Sequence, residues 1–260
     1  MNEGGAAPIG VFDSGVGGLS VLADLRRELP HESFIYYADS GHCPYGGKPA
    51  AEIAARAFAI SDELIAAGAK LIVVACNTAT IAAVEQLRAT YPLSFVGIEP
   101  AIKPAVTQTK SGVVGVLATG AALAGDKFLR LQAQHGGKVR VITQPCPGLV
   151  EYVERGELEG PAVRALVERY VEPLLRDGVD TLVLGCTHYP FLRPLIADVA
   201  GSGATLIDTG AAVARQTRRV LDREGLLSAS SAPGSLQWRT SGDRTVVAPV
   251  VERLLTLSPK

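Results

Sequence analysis

A chain of 260 residues, 47% hydrophobic and 20% charged with a formal net charge of −1, has room for one large or two modest α/β domains and a substantial core. The near-neutral charge and an aromatic content of 5% remove the electrostatic and stacking case for nucleic acid, and the charge gives none for a membrane surface. The start, Met1 to Pro8, lacks a basic segment followed by an apolar one, and no run approaches the ~20 apolar residues of a spanning helix, so a cytoplasmic protein with free thiols is expected.

Strand and helix patterns alternate along the chain. Ile9–Phe12 reads as a short apolar strand, Asp13-Ser14-Gly15-Val16-Gly17-Gly18 as a glycine-rich turn, and Leu19–Glu28 as the helix it feeds. A second strand, Phe34–Asp39, is followed by the loop Ser40–Gly47 and an Ala-rich helix from about Pro49 to Ala67. Lys70–Ala75 is short, β-branched and without alternation, the pattern of a central parallel strand covered on both faces. It ends on Cys76, with Asn77-Thr78-Ala79-Thr80 opening a helix through Leu87, and Ser94–Ile98 is the next strand.

From Glu99 the pattern restarts. Val113–Ala118, Lys138–Ile142 and Thr205–Asp208 read as strands, with helices from Gly125 or Asp126 to Gln134, from about Gly160 to Arg176, and after Pro194. Asp180–Gly185 is a second buried run, and it ends on Cys186 as the earlier one ends on Cys76. A helix Ala211–Glu224, a loop Ser228–Ser235, an edge strand Leu236–Thr240 and a last helix Val246–Leu255, capped by Gly242-Asp243, make a tail expected to pack back on the first half. The expected fold class is α/β: two similar doubly wound halves with parallel-sheet cores facing across a central cleft. Residues 1–98 plus 209–260 form the first domain, with Cys76, and 99–208 the second, with Cys186. Hinges are expected near Ile98-Glu99 and Asp208-Thr209.

Each cysteine thus stands at the carboxyl end of a strand, the edge where open α/β sheets bind ligands, ahead of a helix whose N-terminus stabilises a thiolate. The glycine-rich turn has neither the P-loop ending nor the dinucleotide spacing and is read as a carboxylate-binding turn. Cys186-Thr187-His188 has no clustered second pair of ligands at zinc spacing, so no metal is expected. Cys43 and Cys146 are read as ordinary buried residues.

Five ordered motifs carry a resemblance: Asp13-Ser14-Gly15-Val16-Gly17-Gly18; Ala38-Asp39 with Pro44-Tyr45-Gly46; Ala75-Cys76-Asn77-Thr78-Ala79-Thr80; Gly97-Ile98-Glu99-Pro100-Ala101; and Gly185-Cys186-Thr187-His188-Tyr189-Pro190. Together they resemble the bacterial glutamate racemases over nearly the whole chain. Cys146-Pro147 to Val153-Glu154 and Thr240-Ser241-Gly242-Asp243 also fall where that family has them. The resemblance implies inversion of glutamate at its α-carbon with no cofactor, D-glutamate destined for peptidoglycan, and a possible homodimer. It implies Cys76 and Cys186 as the acid/base pair, one thiolate and one thiol on opposite faces of the carbon. Asp13 beside Cys76 and His188 beside Cys186 would take or relay protons. Ser14, Pro44, Tyr45, Gly46, Asn77, Thr78 and Thr187, with Asp13 and His188, would grip the substrate. Glu154 matches an acidic residue near the site, read as a surface charge or a supporting group. Two-cysteine enzymes acting on aspartate, a hydantoin or maleate, and a two-lobed binding protein without chemistry, are the competing readings. The substrate-gripping motifs favour glutamate, and the paired thiols favour an enzyme.

Overall fold

A computed structural model describes residues 7–124, 137 and 139–257. In chain order its elements are β1 (Ile9–Asp13), α1 (Leu19–Glu28), β2 (Phe34–Ala38), α2 (Ala50–Ala66), β3 (Leu71–Val74), α3 (Asn77–Thr90), β4 (Ser94–Gly97), α4 (Ile102–Gln108), β5 (Val113–Ala118), α5 (Gly120–Ala124), β6 (Arg140–Pro145), α6 (Leu149–Glu154), α7 (Pro161–Arg176), β7 (Thr181–Leu184), α8 (Arg193–Ala200), β8 (Thr205–Ile207), α9 (Gly210–Arg223), β9 (Leu236–Thr240) and α10 (Arg244–Leu257).

The strands form two sheets, β4-β3-β1-β2-β9 and β6-β5-β7-β8, and every pairing is parallel. The two α/β halves read from the sequence are therefore present. β1, β3 and β7 are buried along their whole length, as strands covered on both faces must be. The tail returns to the first sheet as expected: β9 is its edge strand, with Leu236 opposite Phe34.

Short helices, α4 and α6 among them, escaped the pattern reading. Seven and six residues are too few to display a helical period, and Pro104 in the one and the left-handed Gly148 (φ 91°) before the other look like breakers. The helix anticipated over 125–134 lies outside the described residues, as does Lys138, and the described strand begins at Arg140.

Among the described residues the core has three apolar layers. One covers the outer face of the first sheet beneath α2 and α3, and another the outer face of the second sheet beneath α4 and α5. The third is continuous between the halves, running from Ile9, Val11 and Leu22 to Leu149, Val153, Leu184 and Tyr189. Among the described residues no helix is long and apolar enough to cross a membrane.

Candidate active site

Strand order reverses between β1 and β3 in the first sheet and between β5 and β7 in the second. At such a switch point successive connections leave in opposite directions and open a crevice beyond the strand ends. Asp13 ends β1 and Cys76 follows β3; Thr119 follows β5 and Cys186 follows β7. The two crevices meet in one cavity of about 20 Å³, lined by Ser14, Pro44, Tyr45, Gly46, Cys76, Asn77, Thr78, Thr119, Val150, Gly185, Cys186, Thr187 and His188. That is room for about one water-sized group.

On the first side, Cys76 occupies the N-cap position of α3, its backbone extended (φ −142°, ψ 122°), and its sulfur accepts the Ala79 N–H at 3.4 Å. Thiols rarely cap helices, and Asn77 and Thr78 are the customary cap types. Placing the cap one residue earlier aims the sulfur along the helix N-terminus and frees Asn77 and Thr78 to face the cavity. Asn77 Oδ1 is buried with no hydrogen-bond partner among the described residues, a costly arrangement unless a ligand completes it. Asp13 is fully buried, and its charge acts on the Cys76 thiol. Its carboxylate accepts the Gly18 N–H at 2.7 Å and the Thr187 hydroxyl at 3.2 Å. Burial raises the Asp13 carboxyl, and burial followed by the Asp13 charge pushes the Cys76 thiol well above its ordinary value.

On the second side a carboxylate, an imidazole and a thiol stand in a chain. Glu154 Oε1 lies 2.7 Å from His188 Nε2, and His188 Nδ1 lies 3.6 Å from Cys186 Sγ. Glu154 is also fixed by the Val16 N–H at 2.7 Å and the Ser40 hydroxyl at 3.0 Å. Burial opposes the imidazolium, but hydrogen bonds to Cys186, Cys43 and Glu154 outweigh it and hold His188 well above the ordinary histidine range. Burial likewise opposes the Glu154 carboxylate, and His188 outweighs it, so that group is lowered.

The glycines of the first turn are explained by these contacts rather than by backbone conformation. A Cβ on Gly15 would stand 2.0 Å from Glu154 Oε1, one on Gly17 2.2 Å from His188 Nδ1, and one on Gly18 2.7 Å from Asp13 Cβ. The turn does bind carboxylates, but those it holds here, Asp13 and Glu154, belong to the chain itself.

All of the residues singled out from the sequence gather at this cavity or directly behind it, with three differences. Cys186 does not precede an α-helix: a 3₁₀ turn, Tyr189–Leu192, intervenes before α8, so the helix-terminus argument applies to Cys76 and the imidazole takes its place at Cys186. Glu154 is no surface charge; its side chain keeps 17% exposure and bridges the halves. Tyr45 is held through Asp39, which accepts its hydroxyl at 2.5 Å and pairs with Arg56 at 2.7 Å. The sequence reading passed over Thr119, whose hydroxyl meets that of Thr78 at 3.1 Å, and Val150. Thr119 was reachable by the switch-point rule once β5 and β7 are neighbours. It also left His188 without a ligand cluster, whereas Cys43 and Glu154 both reach it.

The chain is similar to known proteins over most of its length. A sequence model of the Asp/Glu/hydantoin racemase family matches residues 9–217. Glutamate racemase from Herpetosiphon aurantiacus is 61% identical over 236 residues, covering 91% of this chain and 93% of that protein. The structure of Escherichia coli glutamate racemase with L-glutamate and an activator superposes with a TM-score of 0.84 at 33% identity, covering 95% of each chain. Glutamate racemase from Francisella tularensis, solved with D-glutamate, superposes with a TM-score of 0.83 at 28% identity, covering 96% of this chain and 94% of the other.

Proposed function

This chain belongs to the Asp/Glu/hydantoin racemase family and lies among its glutamate racemases, and from that premise we propose that it interconverts L- and D-glutamate by proton transfer between Cys76 and Cys186, without a cofactor. The observation that carries this reading is the pair of buried cysteines, 5% and 8% exposed, facing one cavity from the switch points of two opposed sheets. Of the described residues, 7–98 with 209–257 make up one lobe in this reading, and 99–124, 137 and 139–208 the other.

Inversion requires a base on one face of the α-carbon and an acid on the opposite face. One thiolate withdraws the α-proton, the other thiol returns its own, and the next turnover in reverse swaps their parts. The two sides are built differently. His188, 3.6 Å from the Cys186 sulfur, supplies a cation that pairs with a thiolate and can pass it a proton. Asp13 offers the Cys76 thiol a carboxyl that burial keeps raised, a place for the proton between half-reactions. Charge developing at the substrate carboxylate is met by N–H and hydroxyl donors from Ser14, Asn77, Thr78 and Thr187, with Asn77 Oδ1 accepting from the ammonium group. Tyr45 and Gly46 close the cavity from the side. The D-glutamate formed is the species peptidoglycan synthesis consumes.

The test is circular dichroism with L-glutamate in heavy water and no added cofactor, followed by mass spectrometry of the recovered amino acid. We expect loss of rotation with one deuterium gained at the α-carbon, and a fall of at least about 10²–10⁴-fold in Cys76→Ala and in Cys186→Ala. Full activity in either variant would end the two-thiol mechanism. Inversion of aspartate or a hydantoin with glutamate untouched would keep the mechanism and change the substrate.

A further inference from the structure

Of the side chains around the cavity, Cys43 has no part in the proton transfers described, yet it sits against one of their members. Its sulfur, a carboxylate oxygen of Glu154 and a ring nitrogen of His188 lie within 4.8 Å of one another. The three come from separate segments: the loop after β2, the end of α6 and the loop after β7. We propose that Cys43, Glu154 and His188 form a binding site for a zinc-like divalent cation.

The donor set is one sulfur, one imidazole nitrogen and one carboxylate oxygen, with a fourth position left for solvent. Zinc takes these donors at about 2.3 Å for sulfur and about 2.0–2.2 Å for nitrogen and oxygen. Magnesium and calcium prefer oxygen alone and are disfavoured by the thiol. Tetrahedral bonds of those lengths set ligand atoms roughly 3–4 Å apart; the present triangle, all within 4.8 Å, reaches that by small side-chain adjustments. Access is available, because Cys43 is half-buried and Glu154 partly exposed, with the fully buried His188 behind them. The chain also supplies the supporting contacts such a site needs. Ser40 donates to Glu154 Oε2 at 3.0 Å, and His188 Nδ1 already faces Cys186 at 3.6 Å, which leaves Nε2, now 2.7 Å from Glu154, as the nitrogen for the metal.

Occupancy has a consequence for turnover. A metal on Nε2 needs a neutral imidazole and a deprotonated thiol, so binding expels protons and takes from His188 the one it would relay to Cys186. Zinc is therefore a reversible inhibitor. That consequence rests on the racemase reading; the site does not, and it is measured separately.

The experiment uses the full chain, reduced and freed of metal by a chelator. Zn²⁺ is titrated against a chromophoric chelator, and Co²⁺ is followed by thiolate-to-cobalt charge-transfer absorption. We expect one equivalent bound, with racemisation lost in parallel and restored by excess chelator. In Cys43→Ala, metal affinity falls by at least the roughly 10–100-fold that loss of even an outer supporting contact costs. Unchanged affinity in Cys43→Ala overturns the site. So does binding that survives in Cys43→Ala and vanishes in Cys76→Ala, which would put the metal on the catalytic thiols. Native-state maleimide labelling of the wild type gives a readout independent of any variant: zinc protects Cys43, and unchanged labelling of the Cys43 peptide overturns the proposal. Tight binding with full turnover would remove the inhibitory consequence.

Discussion

Glu154 spends both oxygens on the opposite half of the molecule or on His188: Val16 N–H and His188 at Oε1, Ser40 at Oε2. Its charge is one of the groups holding His188 protonated. Glu154→Gln keeps the shape and removes the charge, so His188 releases its proton at lower pH and the alkaline limb of the kcat profile moves down. The fall in kcat is smaller than the roughly 10²–10⁴-fold of deleting an acid/base group outright, because the imidazole stays. A profile identical to wild type would separate Glu154 from the chemistry. The same raised imidazolium contributes to stability: its contribution is complete below the ordinary histidine value of about 6.5 and is lost as pH rises through the folded value. At Gly17 a methyl group would stand 2.2 Å from His188 Nδ1. Gly17→Ala therefore displaces the imidazole, and we expect activity to collapse while far-UV circular dichroism is unchanged.

The segment between β2 and α2 is where one element serves the site through another. Asp39 is fully buried at the end of β2 and gathers Arg56 from α2 through two hydrogen bonds of 2.7 and 3.0 Å, the Tyr45 hydroxyl at 2.5 Å and His42 at 3.1 Å. Burial alone would raise its carboxyl; Arg56 and Tyr45 outweigh burial and hold it low. A lowered carboxyl contributes stability that is complete above its unfolded value near 4 and is lost as pH falls through the folded one. Arg56→Met leaves that carboxylate unpaired. Its cost approaches the roughly 3–5 kcal/mol of a broken buried pair, reduced because the Arg56 side chain keeps 24% of its surface in solvent. Denaturant titration measures that loss. KM should rise with it, because Tyr45 and Gly46 line the cavity through this loop. Asp39→Asn should flatten the acid limb of the stability profile below about pH 4.

For the whole molecule, the cavity of about 20 Å³ is far smaller than glutamate, so a substrate reaches the thiols only if the halves part. The continuous apolar layer behind the site resists wholesale separation. The expected motion is a small rotation that opens the strand ends while that layer stays packed, with Ile98-Glu99 and Asp208-Thr209 as pivots. Contacts between the halves, among them Ser20 hydroxyl to Thr187 carbonyl at 2.8 Å and Thr78 to Thr119 at 3.1 Å, are expected to break. Small-angle scattering with and without D-glutamate tests this, and one unchanged profile would count against it.

The amino-acid sequence determined the elements and the chemical inventory. Short unalternating β-branched runs read as strands covered on both faces, so the parallel α/β halves and both cysteines at strand ends were legible in the sequence. Tertiary structure alone decided what those residues meet. Short helices such as Leu149–Glu154 show no period, so nothing local announced that Glu154 would reach across 34 positions to His188 and across 138 to Val16. The glycines of the first turn read as part of a carboxylate-binding turn, and they turn out to be clearance for His188 and Glu154. Cys43 looked like a small buried residue because ligand clusters are recognised by spacing, and its neighbours Glu154 and His188 come from two distant segments. Periodicity and end signals act over a few residues and are written in the sequence. Distances between side chains on separate elements depend on strand order and packing, and exist only once the chain has folded.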